Sequence, residues 1–579
     1  MAFTLHGIAV SRGIAIGRSH LLSSATAEVA HYLIQENAVE DEIARFNAAV
    51  GSVHEELATL KGELPADAPP ELAAFLELHS LILSDHLLSA EPRRWIQERH
   101  YNAEWALTTQ MEAVVAQFDA IEDEYMRERG NDVRQVVDRV LRALTGMYNT
   151  LPEHDETAAA EMLLVAHDIA PHDMLQFKDH RFAGFVTDLG GVTSHTAIVA
   201  RSLGIPAVVG LQSARHLIKQ DEWIIVDGDA GVVIVDPDPL VLEEYRVRQS
   251  ELELDKKRLR RLRGMAAQTM DGTTVELHAN IELPADVPAA LDAGATGVGL
   301  FRTEFLFMNR ETLPDEEEQF VAYRQVVEQM PHYPITIRTL DIGADKSFGS
   351  SLDAGHAVSI NPALGLRAIR YCLAEPPLFL TQLRAILRAS AFGKIKLLIP
   401  MLAHAHEIDQ SLALIEQAKA QLRKRGQAFD DTIPVGGMIE IPAAVLAIGL
   451  FTKRLQFLSI GTNDLIQYAL AIDRADNAVA HLYDPLHPAI LQLLSLTIQA
   501  GARAGLPVSV CGEMAGEPKL TRLLLGLGLR QFSMHPSQLL MVKQEILRAD
   551  LPSIEAIVKK MLKAQEPDKI REWVQQLVT

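Results

Sequence analysis

From about Thr269 to the C-terminus, short β-prone runs alternate with helical ones, and no other feature of the chain restricts its fold as tightly. The runs are Val275–Ile281, Gly297–Phe301, Ile335–Leu340, Lys396–Pro400, Val435–Ile439, Phe457–Ile460, Val508–Val510 and Gln531–Ser533. Alternation of this kind is the pattern of parallel βα units, and eight of them close into a (β/α)8 barrel. Chemistry in that fold lies at the C-terminal ends of the strands, so the residues just past each run become candidates. Arg302 and Glu304 follow the second run, and Arg338 and Asp341 close the third with Lys346 further along. Glu440 follows the fifth, Asn463 and Asp464 the sixth with Arg474 beyond, and Cys511 and Glu513 the seventh.

Three arginines and a lysine gathered at one barrel mouth would neutralise phosphate and carboxylate through forked, charge-assisted hydrogen bonds. Glu440 and Asp464 are a pair of the kind that holds Mg2+, which takes one or two protein carboxylates and completes its shell with water and substrate oxygens. Each group alone has a plainer reading: strand-end arginines and carboxylates form structural ion pairs, and Cys511 is a small core residue. Glu440 resists it most, because Met438, Ile439, Ile441 and Pro442 around it are apolar and a buried carboxylate demands a partner. Jointly these residues imply a small phosphorylated acid bound with a metal.

At 579 residues the chain exceeds one core, and two to four domains are expected. A Gly-punctuated, β-prone opening (Gly7 to Gly17) gives way near Gln35 to more than a hundred residues of helical pattern. Within it, Glu71 to Leu83 is apolar on more than one face, as in a packed bundle or a surface that docks another protein. Strands return at Leu163–Ala166, Phe185–Thr187, Ala207–Val209, Ile224–Val226 and Val232–Val235. Leu240 to Ala267 mixes Arg and Lys with Glu, Asp and Leu, which reads as a solvated connecting helix. The expected organisation is an α/β domain over 1–34 and 146–237, a helical insert over 35–145, a helical linker over 238–267 and the barrel over 268–579.

A formal charge of −22 argues against nucleic acid and anionic membranes as partners, so any basic site must be local. The start lacks a basic region followed by an apolar core, and no run is long and apolar enough to insert in a membrane. Two cysteines, Cys372 and Cys511, make no disulfide framework and fit a reducing compartment. A cytoplasmic protein is expected.

In the α/β domain, Phe185 to Asp188 reads as a strand running into Gly190-Gly191, and Thr193 is placed to cap a helix that continues from Ala197 to Leu203 until Gly204 stops it. His195 then falls in the first turn. There the positive end of the helix dipole disfavours imidazolium and keeps the ring nucleophilic, while free amide N–H groups attract a phosphoryl group. The geometry suits a covalent phosphohistidine; the alternative is a solvated neighbour of the cap.

With His195 and the barrel mouth both in view, the sequence resembles the phosphoenolpyruvate–protein phosphotransferases, the Enzyme I family of the bacterial sugar phosphotransferase system. The likeness covers nearly the whole chain. It rests on the histidine motif, on Gly297 to Met308 (GVGLFRTEFLFM), on Ser459 to Tyr468 (SIGTNDLIQY), on Arg384 to Ser390 (RAILRAS) and on Cys511 to Gly516 (CGEMAG). The resemblance implies that His195 is phosphorylated through Nε2, that Arg302, Arg338, Asn463, Asp464 and Arg474 bind phosphoenolpyruvate, and that Glu440 and Asp464 are Mg2+ ligands. Cys511 takes the position of the proton donor to the methylene carbon of the enolate. It further implies transfer to a histidine of the small phosphocarrier protein HPr, docked on the helical insert, a swivelling phosphohistidine domain hinged near Pro237 and the charged helix, and a homodimer formed through the barrel.

The chain departs from the family where Val192 replaces an arginine common after the Gly-Gly pair, and where Met174 stands in place of a hydroxyl residue. The loops carrying Ala344 and Asn361 to Arg367 also differ in packing residues. A pyruvate–phosphate dikinase or phosphoenolpyruvate synthase would need a nucleotide-binding domain of roughly 200 residues, and no segment before His195 is a candidate. A silent regulator would lack site groups, and none is missing. The nitrogen-regulatory paralogue would carry an extra N-terminal sensory domain, whereas the sequence opens on the Gly-rich strand, so the sugar system is expected.

Overall fold

A computed structural model describes residues 2–22, 29–62, 70–119, 124–146, 162–167, 169, 182–190, 200, 205–307, 312–342, 363–473, 479–564 and 566–578. The chain forms two compact units, Met1–Asp255 and Lys256–Thr579.

The first unit is built on an eight-stranded sheet of order β1-β8-β7-β3-β4-β5-β6-β2. Its strands are β1 (Phe3–His6), β2 (Ile8–Ser11), β3 (Ile14–Leu21), β4 (Met162–Ala166), β5 (Gly184–Thr187), β6 (Ala207–Val209), β7 (Trp223–Asp227) and β8 (Val232–Val235). Strands β3 to β6 run parallel, and those flanking them pair antiparallel. Period-two alternation fills both faces. Leu163, Val165, Val186 and Val208 pack on one side, and Leu164, Ala166, Phe185 and Val209 on the other.

Because β3 and β4 are parallel neighbours, the chain between them has to cross over, and it does so through a helical bundle. Helices Val39–Gly62, Pro70–Ser84, Glu91–Arg99, Ala103–Asp119 and Glu124–Thr145 carry a core of their own around Phe46, Val53, Ile96, Leu107, Val136 and Leu141. In the second of them Leu76 and Leu83 are buried while Leu81 is 69% exposed. The charged helix spans Pro239–Arg261. Its beginning lies on the sheet: Val241, Leu242 and Tyr245 pack with Ile14, Ile16 and Ile225, and Gln249 Nε2 donates to Ile14 O at 2.9 Å.

The second unit is the expected barrel, closed and parallel throughout. Its strands are β9 (Glu276–Ile281), β10 (Val298–Arg302), β11 (Ile335–Arg338), β12 (Ile395–Ile399), β13 (Val435–Ile439), β14 (Phe457–Ile460), β15 (Val508–Val510) and β16 (Gln531–Met534). Alternation separates an inward set, Leu300, Leu398, Met438 and Cys511, from residues such as Phe301, Leu397, Ile439 and Ile460 that pack under the surrounding helices. Strand β11 stops two residues short of the sequence expectation. Beyond Arg338, backbone donors turn to side chains: Leu340 N–H to Gln382 Oε1 and Asp341 N–H to Glu304 Oε1, each at 2.9 Å.

Arg384 and Arg388 of the RAILRAS motif do not enter the barrel mouth. They clamp the outer helices Glu316–Gln329, Pro376–Ala389 and Ala405–Arg425. Arg384 Nε, Arg388 Nη1 and Arg425 Nη1 lie 2.6, 3.1 and 3.0 Å from Glu316 carboxylate oxygens. Burial works to raise the Glu316 carboxyl, but the arginines outweigh it and hold it below its ordinary 4.5. A depressed carboxyl contributes stability that is present above the unfolded value and lost as pH falls through the folded one. Glu316→Gln is therefore expected to cost the barrel about 1.5–3 kcal/mol at pH 7 in urea unfolding. The gap to the parent protein should close as pH drops below 4.5; a gap independent of pH would refute the clamp.

Among the described residues no helix is long and apolar enough to cross a membrane. Cys372 and Cys511 are both buried and unbridged.

Candidate active site

The C-terminal ends of the barrel strands carry the charged groups. Arg302 and Arg338 are the last residues of β10 and β11 and stand opposite each other in register, so two guanidinium groups rise from adjacent strand ends. Glu440 follows β13, Asp464 sits in the first turn of helix Thr462–Leu470 directly after β14, and Cys511 follows β15. The exits of β14 and β15 are tightly packed: a Cβ on Gly461 would lie 2.8 Å from Glu440 Oε2, and one on Gly512 would collide with Thr462 Oγ1.

Buried ion pairs knit one side of the mouth. Arg338 Nη2 donates to Glu304 Oε1 and its Nη1 lies against Asp341 Oδ2, both at 3.0 Å. Arg367 Nη2 donates to Asp341 Oδ1 at 2.9 Å and lies 3.7 Å from Asp464 Oδ2, while its Nη1 donates to Tyr468 Oη at 3.2 Å. Burial opposes the charge of Arg338, but Glu304, Asp341 and Glu440 outweigh it and fix the guanidinium in its protonated form. Arg367, also opposed by burial, is held the same way by Asp341, Tyr468 and Asp464. Burial pushes Glu304 up against the pull of Arg338. Arg338 Nε, Arg367 Nε and Glu304 Oε2 are buried and make no hydrogen bond among the described residues.

Glu440 is strongly perturbed. It is buried to 1% exposure, and burial, then Asp464 and Asp341, push it up to about 8. Its Oε1 accepts the Met401 N–H at 2.5 Å. Met401 holds φ at +55°, a left-handed conformation costly for a residue with a Cβ, and such strain collects at functional sites. No three His, Cys, Asp or Glu side chains among the described residues form a metal cage by themselves. Glu440 and Asp464 are an acidic pair at this mouth, Asp464 being one of the charges that raise Glu440.

Cys511 is buried, and burial raises its thiol above the ordinary value, so it is protonated at neutral pH. Ser459 Oγ donates to its sulfur at 3.2 Å, and Asn280 Nδ2 donates to its carbonyl at 2.9 Å. Asn463 is fixed by a reciprocal pair with Glu513, Nδ2 to Oε1 at 3.0 Å and Glu513 N–H to Oδ1 at 2.9 Å. Arg302 Nη1 meets Glu282 Oε1 at 2.7 Å on the more open side of the mouth.

The structure thus brings Arg302, Arg338, Glu440, Asn463, Asp464 and Cys511 to one barrel end. His195, with Val192 and Met174, and likewise Arg474 and Lys346, lie outside the described residues. The frame of the histidine segment is described: β5 leads to Gly190 at φ +110°, the expected glycine turn, and Ala200 is fully buried. Asp188 Oδ1 accepts the Arg215 N–H at 3.3 Å and its Oδ2 is 3.4 Å from His167 Nδ1. Strand-end reasoning missed Arg367 and Tyr468, which reach the mouth from a loop and from the second turn of a helix. The one available signal was that Tyr468 closes the SIGTNDLIQY motif, and no spacing rule gave either residue a charge partner.

A family model described as "PEP-utilising enzyme, PEP-binding domain" matches residues 256–551, another, "PEP-utilising enzyme, N-terminal", matches 6–129, and a third, "PEP-utilising enzyme, mobile domain", matches 159–231. The phosphoenolpyruvate-protein phosphotransferase of Cupriavidus necator is 61% identical, covering 100% of both chains. The chain belongs to the phosphoenolpyruvate-protein phosphotransferase family. The Geobacillus stearothermophilus phosphotransferase is 42% identical over 100% of this chain and 96% of its own. A solution structure of an Enzyme I protein is 35% identical over 43% of this chain and 99% of that one, with a TM-score of 0.34. As a phosphotransferase of this family, the protein has its charged barrel mouth inside the segment matched as PEP-binding.

Proposed function

We propose that the protein transfers the phosphoryl group of phosphoenolpyruvate to its own His195, releasing pyruvate, and then passes it to a histidine of the phosphocarrier protein HPr. The observation that carries this reading is the barrel mouth, where two adjacent strand-end arginines share one barrel end with the like-charged carboxylates Glu440 and Asp464 and a buried, protonated thiol.

In this reading Arg302 and Arg338 grip the phosphate, and Asn463, Asp464 and Arg474 orient the rest of phosphoenolpyruvate. The bond from phosphorus to the bridging oxygen breaks as the bond from His195 Nε2 to phosphorus forms, leaving its electron pair on oxygen as the enolate of pyruvate. Cys511 then gives its proton to the methylene carbon, which completes pyruvate. Glu440 and Asp464 fit Mg2+: burial and two like charges forced together push Glu440 up to about 8, and a divalent cation reconciles them. When bound there, Mg2+ would screen the charge of the phosphoryl and enolate oxygens.

The helical insert, 35–145, is the docking site for HPr, and the α/β domain, 1–34 with 146–237, is the body that carries His195 between its two partners. The hinge lies in the stretch from Pro237 through the charged helix, and the packing of that helix on the sheet as far as Gln249 supports a swivel in its later part. The barrel, 268–579, is the dimerisation domain, and two unbridged cysteines suit a cytoplasmic enzyme.

The test is to incubate purified protein with Mg2+ and labelled phosphoenolpyruvate. Acid-labile, alkali-stable phosphate should appear with an equal amount of pyruvate; no label, or acid-stable label, would overturn the assignment. Cys511→Ala is expected to slow pyruvate formation by about 10²–10⁴-fold, the usual weight of a general acid, with phosphoenolpyruvate affinity changed less than about threefold. Unchanged turnover would show that another group donates the proton.

A further inference from the structure

Behind the barrel mouth lies a polar network that the proposed chemistry does not use. Gln382, on the outer helix Pro376–Ala389, is fully buried, yet its amide is fully engaged. Its Oε1 accepts the Leu340 N–H at 2.9 Å, and its Nε2 donates to Thr303 Oγ1 at 3.1 Å and to Tyr323 Oη at 3.3 Å. Thr303 Oγ1 in turn donates to the Arg338 carbonyl at 2.9 Å, and Tyr323 Oη donates to Gln319 Oε1 at 3.3 Å. The Leu340 N–H admits only an acceptor at this point, so the amide has one orientation and the donors beyond it have one direction.

The contacts fall where the sheet stops supplying alignment. The last register pair between β10 and β11 is Arg302 with Arg338. Immediately past it, the chain ends are tied by Thr303 to Arg338, by Gln382 to Thr303 and Leu340, and by Glu304 to Asp341 N–H. These are the segments that carry Arg302, Arg338 and Asp341.

We propose that Gln382 is a positioning residue for phosphoryl transfer: by joining the ends of β10 and β11 from behind, it sets the direction of the Arg338 guanidinium toward the substrate phosphate. It touches neither substrate nor the reacting atoms. This role rests on the reading of the barrel mouth as the phosphoenolpyruvate site. A buried amide of this kind is not needed for packing alone, since an apolar side chain of similar size fills the space; it adds a fixed angle between two strand ends.

The experiment measures kcat/KM for pyruvate release from phosphoenolpyruvate in the full chain, at a temperature well below the melting midpoint of each variant. Gln382→Leu is expected to lower kcat/KM about 100-fold, the loss caused by misplacing a grip by about an ångström. In an Arg338→Lys background, where no fork remains to be aimed, the same change is expected to cost less than about threefold. A merely structural glutamine would give either no loss in the folded protein or the same loss in both backgrounds, and either result overturns the proposal. Should Gln382→Leu not fold, Thr303→Val, which keeps the volume and removes only the hydroxyl, is expected to lose about tenfold with the same non-additivity, and additive loss there is equally decisive. If Arg338→Lys itself leaves kcat/KM unchanged, the reading of the mouth fails; if it is impaired while Gln382→Leu and Thr303→Val are not, only the role of Gln382 fails.

Discussion

Replacing His195 by alanine is expected to abolish labelling of the protein by phosphoenolpyruvate, a loss of at least about 10⁴-fold, since removing a covalent nucleophile leaves no second route for the group it carries. The sequence predicts His195 in the first turn of a helix just after a glycine turn, where the positive end of the dipole would keep the ring neutral and amide N–H groups would suit a phosphoryl dianion. The approach to that segment is firmly held: Gly190 makes the left-handed turn after β5, and Asp188 is anchored to the Arg215 N–H. Because the barrel is a separate compact unit with its own core, His195→Ala should bind phosphoenolpyruvate within about threefold of the parent. Label that survives in His195→Ala, measured after alkaline quench, would remove the histidine from the pathway.

The second large effect is expected at Arg338. Arg338→Met leaves Glu304 and Asp341 buried without the cation that lies 3.0 Å from each. Breaking a buried pair on one side costs about 3–5 kcal/mol, because the remaining charges stay desolvated. The cost has a pH signature. Glu304 is already pushed above 4.5 by burial, and Arg338 is the main force opposing that. Without Arg338 the carboxyl rises further. A raised carboxyl lowers stability above its unfolded value and ceases to do so as pH falls toward it. The stability gap between Arg338→Met and the parent should therefore widen as pH rises from about 5 to 8 in urea unfolding. Turnover of phosphoenolpyruvate should fall at least about 10³-fold, the loss of a preorganised donor to developing phosphoryl charge. Arg338→Lys keeps the charge but not the two-pronged fork and should fall between. A variant with normal turnover would place the phosphate elsewhere.

Much of the barrel was legible because parallel strands buried on both faces read as short apolar runs between turns, and each such run falls on an observed strand within two residues. Arg302, Arg338, Glu440, Asn463, Asp464 and Cys511 were legible for a related reason: a barrel gathers the residues just past its strands at one mouth. Arg367 was not, because it sits on a loop with no strand of its own, and its partners Asp341 and Asp464 are distant in sequence. Arg384 and Arg388 belong to a recognisable motif, yet the fold commits them to Glu316 between outer helices.

The amino-acid order by itself determined the alternation that closes the barrel, the strand ends that carry charge, and the glycine turn before His195, all of them local patterns of period and punctuation. Only the tertiary structure decided which charges are desolvated together. Glu440 is driven to about 8 by burial and by Asp464 and Asp341, and burial keeps the Cys511 thiol protonated against the pull of Ser459 and Arg338, groups that no spacing in the chain relates to them. Gln382 likewise meets Thr303 across 79 residues. Electrostatic strength depends on distance and burial in three dimensions, and both are set by the closure of the sheet rather than by neighbours in sequence.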